Sequence, residues 1–355
     1  MRGVAVLWLC FAVACSESFL APWAVTDLRV IGARIDVQGA PGRANPSPGD
    51  AIQASILVIA PGALPSDQEG VPALTPPLLN WAFVACVPAA TTLGPPVCGQ
   101  VIEPCEGCIG PPPSDPFALP IIDVTVPSKE ELDAVDAGGV LLQGVVCSNG
   151  TPSPEAILHF LSGETDDLEP CEGPPIDERE PIEGRVVTVQ IPVERDPEDP
   201  NLNPGIANIA LNGSGWPPPY AQGVPRTAPR TGCKAELDML TKEELDMHPV
   251  AGSAPSNINL SLTAGSLQSF MIDGVELTEE IQVSWLDDGG GFEVAFSFIT
   301  DPASSILTTW QPSSDAPEDG RLVRFNYVIR AGRGGLDHVE RGLCILPPST
   351  DELPP

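Results

Sequence analysis

Residues able to do covalent or metal chemistry are few in this chain, and they stand apart. The three His are His159, His248 and His338. His159 sits in the apolar run Ile157-Leu158-His159-Phe160, where it reads as the wet-face member of a strand, and His338 follows Asp337 in a hairpin. The chain has no H-E-x-x-H, no G-x-S-x-G, no Walker loop and no G-x-G-x-x-G between a strand and a helix. A triad drawn from scattered Ser, Asp and His means little without geometry. No catalytic residue is therefore named, no cofactor is expected, and an enzyme is not the favoured class. Cys105-Glu106-Gly107-Cys108 is a C-x-x-C. At a helix N-terminus such a pair holds a reactive thiolate, and joined by Cys98 and Cys171 it would make a four-thiolate zinc site. Here it lies between Pro104 and Pro111-Pro112-Pro113 in a β-type context, which predicts a structural disulfide instead.

Two further stretches carry ligand-type residues. Asp196, Glu198, Asp199, Asn201 and Asn203 bring hard oxygens to a Pro-rich segment, and Ca²⁺ takes six to eight such oxygens. The alternative is a solvated linker whose carboxylates keep the joint soluble. Trp216-Pro217-Pro218-Pro219-Tyr220 places two aromatics on a stiff polyproline segment. Exposed, they would stack on sugar rings or dock a partner; the commoner outcome is that such rings fold back and are buried.

Composition narrows the class. A formal charge of −31, with 17 Lys plus Arg against 48 Asp plus Glu, excludes binding to nucleic-acid phosphates. The 43 Pro and 34 Gly argue against a helical bundle. A hydrophobic content of 42% is enough to build a core. Ten Cys with so few His indicate an oxidising compartment.

The first residues read as a secretory signal. Arg2 supplies the positive charge and Val4 to Val13 an apolar stretch too short to span a bilayer. The end, Phe11-Ala12-Val13-Ala14-Cys15 followed by Ser16, resembles a bacterial lipobox, with Ala12 where Leu is usual. The resemblance implies lipidation of Cys15, cleavage before it, and, with Ser16 next, an outer-membrane location. Cysteine parity agrees. Cys10 leaves with the signal and Cys15 takes lipid, so an even set of eight remains: Cys86, Cys98, Cys105, Cys108, Cys147, Cys171, Cys233 and Cys344.

These residues are positioned by short β-type runs between Pro/Gly turns. The first series is 25–37, 51–59, 79–86, 121–126, 140–147, 156–161 and 185–191. The second is 206–211, 258–262, 280–286, 292–299, 307–310, 322–330 and 342–346. Alternation is cleanest at Ile281, Val283, Trp285 and at Val323, Phe325, Tyr327, Ile329, the mark of antiparallel strands with one buried face. Ser128 to Glu131 and Thr241 to Glu244 fit capping boxes of short connecting helices. The expected architecture is all-β: a signal peptide over 1–14, a tether over 15–24, a sandwich over 25–193, an acidic linker over 194–204, a second sandwich over 205–347 and a tail over 348–355. Six of the eight cysteines fall before the linker and two after it. If each sandwich closes its own bridges, Cys233 pairs with Cys344, while the first six allow fifteen connectivities.

Val323 to Ile345 (VRFNYVIRAGRGGLDHVERGLCI) resembles the last hairpin of bacterial PKD-type or Ig-like domains, and Glu280 to Gly291 their central Trp strand. Leu28-Arg29-Val30, Pro48-Gly49-Asp50, Trp81 and Cys86 are similar to an Ig-like opening. The layout resembles myxobacterial-type surface lipoproteins with such domains, which implies fold and location rather than chemistry. Cys86 follows Trp81 on one strand, so the usual B–F immunoglobulin bridge is not expected. The functional expectation is a lipid-anchored envelope protein with a structural role or a role in binding a protein or glycan. A Ca²⁺-stiffened adhesion module and a secreted hydrolase are the alternatives.

Overall fold

Strands β1 (Arg29–Val37), β2 (Ala51–Ile59), β3 (Leu79–Pro88), β4 (Cys98–Val101), β5 (Cys105–Glu106), β6 (Ile109–Gly110), β7 (Ile121–Thr125), β8 (Gly139–Ser148), β9 (Thr151–Pro152), β10 (Cys171–Glu172) and β11 (Glu183–Pro192) fill the first half, with helices α1 (Lys129–Ala134) and α2 (Pro154–Ser162). The second half holds β12 (Ile206–Leu211), β13 (Ser214–Gly215), helix α3 (Lys242–Leu245), β14 (Ser256–Leu262), β15 (Ser269–Ile272), β16 (Val275–Thr278), β17 (Ile281–Asp287), β18 (Gly290–Phe292), β19 (Phe296–Ile299), β20 (Ser305–Pro312), β21 (Arg321–Ala331) and β22 (Leu336–Ile345). This is a computed structural model, and it describes residues 21–60, 78–89, 96–111, 115, 118–162, 169–175, 182–195, 199–225, 228, 233, 237–272, 274–301 and 305–348. At 51% strand and 6% helix the chain is an all-β sandwich protein.

Both halves repeat one plan. In the first, β1-β2-β7-β5 faces β11-β8-β3-β4. In the second, β13-β12-β14-β20-β18 faces β19-β17-β21-β22. The central strands of each follow the A-B-E against G-F-C order of immunoglobulin sandwiches. Trp81 on β3 and Trp285 on β17 occupy the strand-C position, 2% and 0% exposed. The inward residues Val323, Phe325, Tyr327 and Ile329 of β21 are fully buried, as their alternation predicted. Both capping boxes form, with Ser128 and Glu131 on α1 and Thr241 and Glu244 on α3 satisfying each other's backbone amides.

Eight cysteines form four pairs: Cys86–Cys98, Cys105–Cys108, Cys147–Cys171 and Cys233–Cys344. Their Cα separations of 5.6 to 6.1 Å lie in the disulfide range. None joins strands B and F. The C-x-x-C pair links β5, in one sheet, to the residue before β6, in the other. Gly107 makes that crossover at φ +75°, where a Cβ would meet the Ile121 carbonyl at 2.0 Å.

Two of the predicted strands take another form, and the hairpin β15–β16 and the short strands β4 to β6 lie outside the predicted series. The predicted strand over 156–161 is helix α2. Ser153 caps it, its Oγ accepting from the Ala156 amide, and Pro154 takes the first helical position. Ile157 packs against the cluster of Val145, Cys147 and Cys171, covering the outer face of β8, and Ala156 beside it is buried. The predicted strand over 292–299 is two strands. β18 pairs with β20, and after a crossing at Glu293 to Ala295, β19 pairs with β17 in the opposite sheet.

The two sandwiches share an apolar contact. On β2, Ile52, Ala54, Ile56 and Val58 point into the first core, while Leu57 and Ile59 point away and pack with Val25, Leu286, Val328 and Leu336. Arg34 donates across this contact to Asp337 at 2.8 Å, and Arg330 donates to the Ile31 carbonyl at 2.7 Å. Full burial of such a side chain is worth about 1.5–3 kcal/mol. Leu57→Asp should leave each core intact and uncouple the sandwiches: scanning calorimetry is expected to show one transition resolving into two, and an unchanged single transition would refute the coupling.

Candidate functional site

The segment preceding the first sandwich runs along the second. The Val25 amide donates to the Asp287 carbonyl at 2.8 Å, and the Asp287 amide donates to the Trp23 carbonyl at 3.1 Å. Trp23 packs half-buried against the second core. Residues 21–24, expected as part of a free tether, are thus a docked strap. Cys15 lies outside the described residues.

Asp287 holds this contact from a dry position. Its side chain is buried, and Oδ1 accepts from the amides of Gly289 and Gly290 at 2.9 and 2.7 Å. The Trp310 indole N–H is a further donor beside the carboxylate. Burial pushes the carboxyl up to about 6 against the pull of the two amides, and neighbouring Asp288 adds in the same direction. Tyr327 lies fully buried nearby, its hydroxyl without a hydrogen-bond partner among the described residues, and burial with the Asp287 charge raises it well above its ordinary value.

The acidic linker is a joint rather than a solvated spacer. Asn201 is 0% exposed; its Nδ2 donates to Asn45 Oδ1 at 3.2 Å and to the Arg333 carbonyl at 3.0 Å. Asn203 Nδ2 donates to the Ile35 carbonyl at 2.7 Å, and its Oδ1 accepts from the Leu336 amide at 3.0 Å. Asn201 therefore ties the first sandwich to the turn before β22, and Asn203 ties it to the first residue of β22. Asp199 is exposed, and its carbonyl accepts from Arg333. Asp196 and Glu198 lie outside the described residues. Of the five Ca²⁺ candidates, Asn203 has both polar ends engaged by protein. Among the described residues no three acidic, His or Cys side chains converge to hold a metal.

Arg333, in the Gly-rich turn, organises the end of the second sandwich. Its Nε donates to Glu279 Oε1 at 2.7 Å, Nη2 donates to Gln268 Oε1 at 3.0 Å, and the guanidinium lies 4.6 Å from the Phe270 ring centroid. One side chain thus clamps the hairpin β15–β16 to the joint. The sequence signal for it is an Arg inside the Gly-rich stretch Gly332-Arg333-Gly334-Gly335.

Trp216 and Tyr220 are not a surface aromatic pair. Trp216 is 8% exposed, donates Nε1–H to the Gly342 carbonyl at 2.8 Å, and stands edge-on to Phe325 and Tyr327. Tyr220 is 6% exposed and packs with Val224, Leu237, Leu322 and the Cys233–Cys344 pair. Gly342 permits this, since a Cβ there would lie 2.7 Å from Tyr220 Cβ. The folded-back outcome holds, and the two weak binding candidates are core residues.

His248 and His338 stand at separate places in the second sandwich. His248 is buried, donates Nε2–H to the Pro218 carbonyl at 2.9 Å and accepts the Cys344 amide on Nδ1; burial lowers its pKa. His338 lies on β22 beside Asp337, also lowered by burial. The His159 side chain lies outside the described residues, and its backbone belongs to α2 rather than to a strand. A cleft of about 690 Å³ in the first sandwich is lined by Ser153, Glu172, Glu183 and Arg185, among others. Two of its charged groups have structural duties: Glu183 accepts the Leu28 amide at 2.7 Å and Arg185 pairs with Asp27.

No protein-family model and no curated protein matches the chain. Among solved structures, pT26-6p aligns with a TM-score of 0.19 and 8% identity over 93% of this chain and 68% of that one. A likeness of that size carries no argument about fold or function.

The buried Asp287 makes a testable pH signature. Its folded pKa of about 6 exceeds the unfolded value, so the native state holds the proton more tightly. Its contribution is then most favourable below about pH 4 and becomes a cost of about 3 kcal/mol once pH has risen past 6. Asp287→Asn keeps the acceptor for Gly289 and Gly290 and removes the charge. The variant-minus-wild-type stability, from urea unfolding, should rise between pH 4 and 7; a flat difference would contradict the assignment.

Proposed function

We propose that the chain is a lipid-anchored cell-envelope protein with a non-catalytic role in structure or in binding a protein or glycan. The observation that carries this reading is the cysteine pairing. All eight cysteines after Cys15 are engaged with one another. Cys15, in its lipobox-like setting, is then the one thiol left over after the signal, and a lone exposed thiol is disfavoured in an oxidising compartment. A diacylglycerol with an N-acyl chain exceeds the two-signal requirement for stable membrane anchoring.

The described chain offers a body suited to such an anchor. Strap, joint and apolar contact hold the two sandwiches together, and the charge of −31 keeps them soluble and clear of anionic lipid. In the cleft of the first sandwich, Glu183 and Arg185 are engaged in holding the fold. On this reading the membrane is one partner through Cys15, and an envelope protein or glycan is the other.

Expression of the full chain in a Gram-negative host provides the test. Wild type is expected in the membrane fraction with an acylated N-terminus by mass spectrometry, and Cys15→Ala in the soluble fraction. An unacylated mature N-terminus, or unchanged fractionation of Cys15→Ala, would overturn the proposal.

A further inference from the structure

The sheet β19-β17-β21-β22 has one outer face, and only half of it is covered. Across that face, Phe296, Ser284, Val328 and His338 form one row, and Phe298, Gln282, Arg330 and Leu336 the next. The first sandwich sits on the β21–β22 half, burying Val328 and Leu336 and accepting Arg330. On the β19 half, Phe296 is 49% and Phe298 56% exposed. β19 is also the end strand of its sheet, pairing on one side with β17. Soluble proteins usually protect such an edge with charge, Pro or a bulge, and here two Phe occupy it.

More apolar surface lies in the same stretch of chain. In the hairpin β15–β16, Phe270 opposes Leu277 and Ile272 opposes Val275, so the four share one face. Ile272, Val275 and Leu277 are exposed, and Arg333 holds the hairpin base in place. The hairpin leads into the start of β17, which is also where Phe298 and Ile299 pair. The docked strap meets β17 at Asp287, its opposite end.

Charge selects the occupant. From Ser269 to Leu307 the sequence has no Lys or Arg, and Glu276, Glu280, Glu293 and Asp301 flank the apolar residues. A second copy paired antiparallel through β19 would set Glu293 against the other copy's Asp301, like charge against like charge. We propose that the outer edge of β19, which pairs with no strand among the described residues, takes an extended polypeptide segment of a partner protein. That segment adds a fifth strand to the sheet, seats two apolar side chains of alternate spacing beside Phe296 and Phe298, and carries Lys or Arg at its ends.

This inference rests on the binding role proposed above. Its failure is distinguishable, because peptide binding by the full Cys15→Ala chain does not depend on anchoring. The probe is a pool of eight-residue peptides with Val, Leu or Phe at two alternate central positions and Arg at both ends, with a Glu-ended pool as control. Fluorescence anisotropy should show saturable binding of the Arg-ended pool alone, weakened at least tenfold in Phe296→Glu/Phe298→Glu and also in the milder Phe296→Ser/Phe298→Ser. Amide exchange should slow in β19 when the pool is bound. No binding, equal binding of both pools, or binding undiminished in both variants would overturn the proposal. So would a concentration-dependent dimer, by light scattering, that the variants abolish, since the edge would then belong to a second copy.

Discussion

Several strands of this protein are apolar on both faces, and each needs two covers. A sandwich supplies one of them. On β2 the inner residues meet the first core, and Leu57 and Ile59 require the second sandwich. On β8 the inner face is core, and outward Val145 and Cys147 require α2. On β21 the outward residues divide: Leu322 is covered by the segment around Tyr220 and Cys233, and Val328 by the first sandwich. The linkage of the two halves and the connecting segments follow from this demand to remove apolar surface from water.

The polar joint stabilises the same contact by a different means. Backbone groups at a buried junction must find partners, and the carboxamides of Asn201 and Asn203 supply them with both donors and acceptors. Asn201 donates to Asn45 and to the Arg333 carbonyl, and Asn203 to the Ile35 carbonyl while accepting from Leu336. Arg333 then links the joint to the β15–β16 hairpin through Glu279, an ion pair shielded from solvent on the carboxylate side. Such a pair is costly to break once formed, because one partner would be left charged and dry. Rigidity at this end of the second sandwich therefore comes from few residues, none of them in a regular helix.

Much of the plan was legible because its signals are local. Alternation at Ile281, Val283, Trp285 and along β21 reports a one-sided strand directly, and the two capping boxes report helix starts through contacts three residues apart. Pairing of Cys233 with Cys344 followed from parity once a linker was placed between the halves. The errors share a cause. Residues 156–161 are apolar enough for strand or helix, and the deciding signal was the Ser153-Pro154 start rather than the run itself. Glu293 to Ala295 carry no Pro or Gly to announce a change of sheet. Asn201 and Asn203 read equally well as solvated groups, ligands or buried hydrogen-bonding residues, since composition does not say what surrounds them.

The sequence by itself determined the class: an acidic, disulfide-bearing, all-β chain, because charge, cysteine parity and period-two patterning are properties of residue type and spacing. Only the tertiary structure decided which apolar residues stay uncovered. Val328 and Phe296 look alike in the sequence, each an outward apolar residue of a strand. One is buried because the first sandwich happens to reach β21; the other stays in water because it stops short of β19. That difference depends on how far one sheet extends across another, a distance that no local pattern encodes.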